Sequence, residues 1–207
     1  MNATLHRRFP LAASMLTLSL ALGACGSDKP TRLYVLSSMA ESPAGTATTN
    51  AAIGVGPVTL PKYLDRPQIV TRISDNSLAQ SDLDQWGGDL GDNITRVIAS
   101  NLSRLLGTER VSLYPWKDQA PVTYQVSIDI TKFEKEPDGS TVLSAFWSIA
   151  NPVDGTVKIM QQSTYRDTGV AAAAGGNPYD GVVAAMSRDL EAMSKDIAKA
   201  ISAQGAS

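Results

Sequence analysis

The fold of this chain is decided by residues 124–165, which read YQVSIDITKFEKEPDGSTVLSAFWSIANPVDGTVKIMQQSTY. Apolar and polar residues alternate through three runs, so that every second side chain can face a hydrophobic core. The runs are separated by residues 136–139 and 151–155, which contain the proline, aspartate and glycine that favour turns. Because short turns join neighbouring strands in antiparallel order, this stretch predicts a three-stranded meander.

Two amphipathic helices accompany the strands. Over residues 89–106 apolar side chains recur every three or four positions, with Asp89 as N-cap and Gly107 as C-terminal stop. A second helix begins after Asn177, its N-cap, and runs to about residue 202. We therefore predict an α+β domain, an antiparallel or mixed β-sheet with two amphipathic helices packed on one face. Further strands are predicted at 32–36, 53–58, 68–73, 77–80 and 111–114.

The segments between these elements are predicted as turns and loops. Residues 61–67 begin and end with proline and predict a turn or one helical turn. Residues 37–51 are small and polar, and residues 170–176 are low in complexity, so both predict loops or mobile segments. Gly54 and Gly56 weaken the second strand and indicate a close approach of its backbone to a neighbour.

Cys25 is the only cysteine, and it follows an apolar stretch at residues 11–22. The small residues Gly23 and Ala24 separate the two, an arrangement that resembles a bacterial lipobox. We predict cleavage between Ala24 and Cys25, and acylation of Cys25. The alternatives are an ordinary signal peptide or a short anchor helix, although a spanning helix needs about 20 apolar residues. The predicted boundaries are a signal peptide at 1–24, a lipidated tether at 25–31, one domain at 32–203 and a tail at 204–207.

The composition of the predicted mature chain excludes several classes of function. Removal of the two signal-peptide arginines lowers the number of Lys and Arg residues from 18 to 16, against 20 Asp and Glu, so the net charge becomes −4. An acidic chain without a basic cluster is expected to bind nucleic acid poorly. The only histidine, His6, lies in the signal peptide, which excludes histidine- and cysteine-based catalytic and zinc sites. We predict no catalytic residue, metal or cofactor. We interpret four clustered acids as capping or solvated groups rather than an ion site: Asp82, Asp84, Asp89 and Asp92.

Residues 53–72, IGVGPVTLPKYLDRPQIVTR, resemble the PqiC-type lipoproteins, also described as ABC-type transport auxiliary lipoproteins. Trp86, the helix that follows it and the Tyr-Val-Leu strand after the cysteine fit the same family. The resemblance implies a non-enzymatic lipoprotein on the periplasmic face of the outer membrane, anchored by Cys25. The implied partner is an MCE-domain protein of the inner membrane, with which it moves phospholipid or other hydrophobic molecules. Gly26 favours the outer membrane, and a ring-shaped partner would suit a homo-oligomer.

The residues that we predict to contact this partner are Tyr63, Leu64, Asp65 and Arg66, because aromatic and arginine side chains are common interface anchors. The alternative is a structural turn in which Tyr63 covers the edge of the core while Asp65 and Arg66 are solvated. Trp86 is either an interface anchor or an apolar contact at the start of the helix.

Two other functions stay open at this stage. A stand-alone periplasmic lipid-binding or envelope-maintenance lipoprotein would require a sizeable apolar cavity between the sheet and the helices. A carboxylate-dependent hydrolase would require two facing acids in a cleft, one of them with a raised pKa.

Overall fold

The computed structural model describes residues 30–40, 49–116, 122–170 and 176–204. The predicted signal peptide and most of the predicted tether and tail lie outside these residues. Within them the chain forms eight strands and two helices. In chain order they are β1 (Arg32–Tyr34), β2 (Ile53–Thr59), β3 (Gln68–Ser74), β4 (Ser77–Trp86), α1 (Leu90–Leu106), β5 (Val111–Leu113), β6 (Tyr124–Lys135), β7 (Thr141–Ala150), β8 (Val157–Asp167) and α2 (Pro178–Gln204).

The meander predicted from residues 124–165 is confirmed as β6, β7 and β8. β7 pairs in antiparallel with β6 on one side and with β8 on the other. The pairing places Val126 opposite Ile149 and Ile128 opposite Trp147, and all four side chains are buried. The period-two pattern therefore gives the core face of these strands directly.

The remaining strands make the sheet mixed. β2 runs parallel to both β6 and β5. β3 pairs in antiparallel with β4 and meets β6 at one register position, Thr71 opposite Lys135. β1 lies parallel to β4. α1 packs on β2 and β5, α2 packs on β6, β7 and β8, and the helices contact each other. The α+β prediction is confirmed.

Both helices begin where the sequence predicts. The Asp89 carboxylate accepts a hydrogen bond of 2.8 Å from the backbone N–H of Asp92, and Gly107 ends α1 with φ +61°. At α2 the Asn177 side chain accepts from the N–H of Tyr179, while Asp180 accepts from the N–H of Asn177. These reciprocal bonds satisfy N–H groups that a helix start leaves unpaired.

A β-bulge between Ile130 and Lys132 changes which β6 residues face the helices. Beyond the bulge, Phe133 lies opposite Leu143 in the core, and Glu134 lies opposite Val142 on the other face of the sheet. The extra residue lets β6 continue to Lys135, four residues beyond the alternation that the sequence shows. The bulge thereby places a carboxylate on the outer face of the sheet.

Two predicted boundaries are wrong. β4 continues to Trp86 instead of ending near residue 80, because β3 and β1 both supply hydrogen-bonding partners along it. β1 ends at Tyr34 instead of residue 36, because the N–H groups of Leu36 and Met39 bond to side chains of α1. Residues 37–40 of the predicted loop therefore have defined partners, whereas residues 41–48 lie outside the described part.

Most of the space between the sheet and the helices is filled by side chains. The largest of them expose at most 2% of their surface and include Trp147, Phe133, Leu143 and Leu102. Close packing of this kind contributes most of the hydrophobic stabilisation of a domain. Neither of the two described helices is long and apolar enough to cross a membrane.

The two glycines of β2 confirm the predicted close approach. A Cβ at Gly54 would lie 2.8 Å from the ring of Trp116, and one at Gly56 would lie 2.6 Å from the Cβ of Tyr114. Gly56 also has φ +119°, a region that side-chain-bearing residues avoid.

Replacing Gly56 by alanine is therefore expected to lower the free energy of unfolding by about 1–3 kcal/mol. The measurement is the denaturation midpoint of the purified protein in urea. Gly88→Ala is the matched control, because nothing lies within 4 Å of a Cβ built there. Equal midpoints for the two variants would contradict this reading of Gly56.

Candidate functional site

An open groove lies on the outer face of the meander, opposite the helices. It has a volume of about 310 Å³. β2 lines it with Pro57 and Thr59, β6 with Asp129, and the next two strands with Phe146 and Met160. Thr59 donates a hydrogen bond of 2.6 Å to the Asp129 carboxylate, which ties the two parallel strands together along the groove.

Large apolar side chains are exposed along this groove. Phe146 exposes 42% of its surface and Met160 exposes 73%. Val157, on the same strand as Met160, is also exposed. An apolar surface that no other part of the described chain covers is typical of a protein-binding face.

Residues 61–67 follow β2, one of the strands that line this groove, and their side chains divide into a buried and an exposed group. Leu64 is buried in the core, and the Tyr63 hydroxyl donates a hydrogen bond of 2.7 Å to Glu134. Burial raises the pKa of Tyr63 above its ordinary value, so the hydroxyl keeps its proton and remains a donor. Asp65 and Arg66 are exposed. The four predicted contact residues are therefore adjacent, but only the last two face solvent freely.

Trp86 ends β4 beside the same segment. Its backbone N–H donates to the carbonyl of Pro67 at 2.7 Å, and its side chain is buried in the core. This position favours the packing role over the interface role of Trp86.

Glu134 is a buried charged residue that connects the 61–67 segment to β3. It has no exposed surface and accepts from Tyr63 and from the guanidinium of Arg72, with Arg72 Nη2 at 2.6 Å. Arg72 also donates to the carbonyl of Asp75, so one side chain joins β6 to the β3–β4 turn. The sequence shows neither partner of this buried pair, because nothing in a local pattern marks Glu134 as internal.

Asp84 organises a second buried polar cluster, on β1 and β4. Arg32 donates to its two oxygens at 2.7 and 2.9 Å, and these hydrogen bonds hold the pKa of Asp84 below its ordinary value. Tyr34, Ser81 and Asn177 donate to the same carboxylate. Asp84 thus fastens the N-terminal strand to β4 and to the start of α2.

Residues 36–40 continue from β1 along the helices. The backbone N–H of Leu36 donates to Asn93 at 2.7 Å, and that of Met39 donates to Asn101 at 2.8 Å. Asn101 is fully buried and also donates to Ser194 of α2. The sequence signal for this attachment of residues 36–40 is the pair of asparagines on the apolar side of α1, Asn93 and Asn101. The sequence analysis did not predict the attachment.

Comparison with known proteins identifies the family. The family model of the ABC-type transport auxiliary lipoprotein component matches residues 34–198, most of the chain. The chain belongs to this family. The resemblance stated from residues 53–72 is confirmed. Membership places the auxiliary lipoprotein at a membrane of the cell envelope and makes it an accessory component of a transporter.

Solved structures share the fold of this auxiliary lipoprotein. A crystal structure of an uncharacterized protein has a TM-score of 0.67 at 20% identity, with 84% of this chain and 99% of that chain covered. A DUF330 protein from Xanthomonas campestris has a TM-score of 0.57 at 15% identity, with 86% and 96% covered. Among curated proteins no match is found.

The interpretation of four clustered acids as capping or solvated groups holds for Asp89, which caps α1. It is wrong for Asp84, which is buried and paired with Arg32, because β1 and the start of α2 cover it. Among the described residues no three His, Cys, Asp or Glu side chains are grouped as a metal would require. The predicted lipidation site, Cys25, and the cleavage residue Ala24 lie outside the described residues.

Proposed function

We propose that this auxiliary lipoprotein is anchored in the outer membrane by acylated Cys25 and docks an MCE-domain protein of the inner membrane in an intermembrane lipid-transport complex. The observation that carries the docking role is the open groove with Phe146 and Met160 exposed and with the charged Asp129 among its lining residues. An apolar centre with charged residues at its rim is the usual anatomy of a protein interface.

The filled interior supports docking over lipid carriage. A lipid-binding module needs a cavity between the sheet and the helices. In this domain the middle of that space is occupied by Trp147, Phe133 and other fully buried side chains. The cavity of about 380 Å³ at the start of α2 is lined by the polar Thr71 and Lys135 as well as by Tyr179 and Val182. The groove outside the sheet is open and shallow enough to present side chains to a protein surface.

The anchor is tested by Cys25→Ala. This variant is expected to keep the fold, because Cys25 does not belong to any of the described strands and helices. It is expected to lose membrane association, because two or more acyl chains hold a protein far more firmly than a surface contact does. The measurement is fractionation of envelope membranes, with circular dichroism as the control for folding. Membrane retention of correctly processed Cys25→Ala protein would refute acylation as the anchor.

The docking face is tested by Met160→Glu. The substituted residue is largely exposed, so stability should stay within about 0.5 kcal/mol of the wild type. Recovery of an MCE-domain partner, crosslinked in envelope membranes and identified by mass spectrometry, should fall several-fold. Val153→Glu is the matched control, because Val153 is also a largely exposed apolar residue, in the β7–β8 turn, and does not line the groove.

The outcomes of the crosslinking separate the alternatives. An MCE-domain protein that is captured by wild type and Val153→Glu but not by Met160→Glu would establish both the partner and the face. Equal capture by all three proteins would move the interface away from the groove. Capture of lipid or peptidoglycan fragments without an MCE protein would favour a carrier or envelope-maintenance role. Crosslinks between copies of the chain would reveal the homo-oligomer that a ring-shaped partner suits.

A further inference from the structure

The direction of β1 shows where Arg32 lies relative to the β3–β4 turn. β1 runs parallel to β4, with Arg32 opposite Asp84 and Tyr34 opposite Trp86. The beginning of β1 therefore points toward the beginning of β4, which is the β3–β4 turn at residues 74–77. The chain enters the domain from the side on which this turn projects.

The attachment of β1 makes this direction definite. Arg32 is bonded to Asp84 through two parallel hydrogen bonds, and the Tyr34 hydroxyl donates to the same carboxylate. The carboxylate is nearly buried, where a bidentate pair with arginine is strong and geometrically specific. The first strand after the tether is thus fixed to β4 through Arg32 and Tyr34.

The length of the tether matches the length of the hairpin. Seven peptide units join Cys25 to Arg32, and they span at most about 25 Å. Six residue steps of β3, from Gln68 to Ser74, pair with β4 from Gln85 to Ser77 and cover about 20 Å. The tether is therefore long enough for Cys25 to reach as far from Arg32 as the β3–β4 turn does, and at most about 5 Å farther.

The turn carries apolar side chains that the domain leaves uncovered. Ile73 and Leu78 flank it and expose 57% and 38% of their surface. Arg72 donates to the carbonyls of Ser74 and Asp75, so the turn is held by side-chain bonds. Apolar side chains on a braced turn, within reach of a lipid anchor, match the chemistry of a membrane interface.

We propose that the β3–β4 turn is a second membrane contact, in which Ile73 and Leu78 enter the boundary between headgroups and acyl chains of the leaflet that holds Cys25. This inference rests on the proposed acylation of Cys25. The contact orients the domain on the bilayer. The β7–β8 turn, which lies at the opposite end of β6 and β7, then faces away from the membrane.

The experiment uses single-cysteine probes on the full lipidated protein. Ile73→Cys and Leu78→Cys are each labelled with a polarity-sensitive fluorophore, with Val153→Cys as the matched exposed control. Acylation of Cys25 leaves each variant one reactive thiol, and the wild type none. The proteins are reconstituted in vesicles of phosphatidylethanolamine and phosphatidylglycerol, with and without nitroxide-bearing lipids. Flotation with the vesicles reports the anchor separately.

The proposal expects the probes at residues 73 and 78 to shift to the blue and to lose most of their fluorescence to the nitroxide lipids. The probe at residue 153 should remain as in water. Flotation of all variants with equal, weak quenching at the three positions would overturn the turn contact while leaving the anchor intact. Failure to float, together with labelling of wild-type Cys25, would overturn the anchor and the turn contact with it.

Discussion

Arg72→Ala is expected to lower the free energy of unfolding by about 3 kcal/mol, because it leaves a buried carboxylate without its cation. Glu134 has no exposed surface, and Arg72 Nη2 lies 2.6 Å from its oxygen. The remaining partner, Tyr63, supplies one neutral hydrogen bond, which does not replace an ion pair inside the protein.

The size of this effect is measured by urea denaturation of the purified protein. Arg66→Ala is the control, because Arg66 is exposed and donates only to Gln80 on the surface. It should change stability by no more than about 0.5 kcal/mol. The double variant Arg72→Ala, Glu134→Gln should recover part of the loss, because it removes the unpaired charge. A loss in Arg72→Ala no larger than that in Arg66→Ala would show that Glu134 finds another partner.

Asp189→Asn is expected to make the protein more stable at neutral pH, with a gain that disappears in acid. Asp189 is buried on α2 and accepts a hydrogen bond of 2.7 Å from Thr141. Burial raises the pKa of its carboxyl from 3.8 to about 7. Asparagine keeps an oxygen for Thr141 and carries no charge.

The sign of the pH dependence follows from proton binding. Between about pH 4 and about pH 7 the folded protein holds the Asp189 proton and the unfolded chain has released it, so stability falls as the pH rises. The slope from this group reaches about 1.4 kcal/mol per pH unit. In Asp189→Asn this contribution is absent. The difference between variant and wild type should therefore grow from near zero at about pH 4 to a plateau above about pH 7.

Denaturation midpoints across this pH range provide the measurement, and a second variant controls its sign. The backbone N–H of Thr156 bonds to Asp154 and lowers the pKa of that carboxyl, so Asp154→Asn should reduce stability at neutral pH and converge with wild type in acid. A stability difference for Asp189→Asn that does not vary with pH would show that Asp189 is ionised in the folded protein. Arg188, Arg166 and Asp167 are the charged groups near Asp189.

Only part of the candidate site could be predicted from the sequence. The segment at residues 61–67 was predicted as a turn or one helical turn and is a turn, and the motif that contains it identified the family. The groove itself was not predicted, because it is made by strands that are up to 103 residues apart, from Pro57 to Met160. The alternating pattern shows that Phe146 faces away from the core. It does not show whether another part of the chain packs on the outer face of the sheet.

The sequence by itself determined the elements whose cause is local. Alternation over residues 124–165 produced the meander, and Asp89, Gly107 and Asn177 set helix ends because capping bonds span two to four residues. Tertiary structure decided the rest. Glu134 meets Arg72 across 62 residues, and Asp84 meets Arg32 across 52, so their burial depends on how distant strands assemble. The period of the sequence pattern indicates which face of a strand or helix a side chain occupies. The residue that it contacts on that face is determined only when distant segments of the chain pack together.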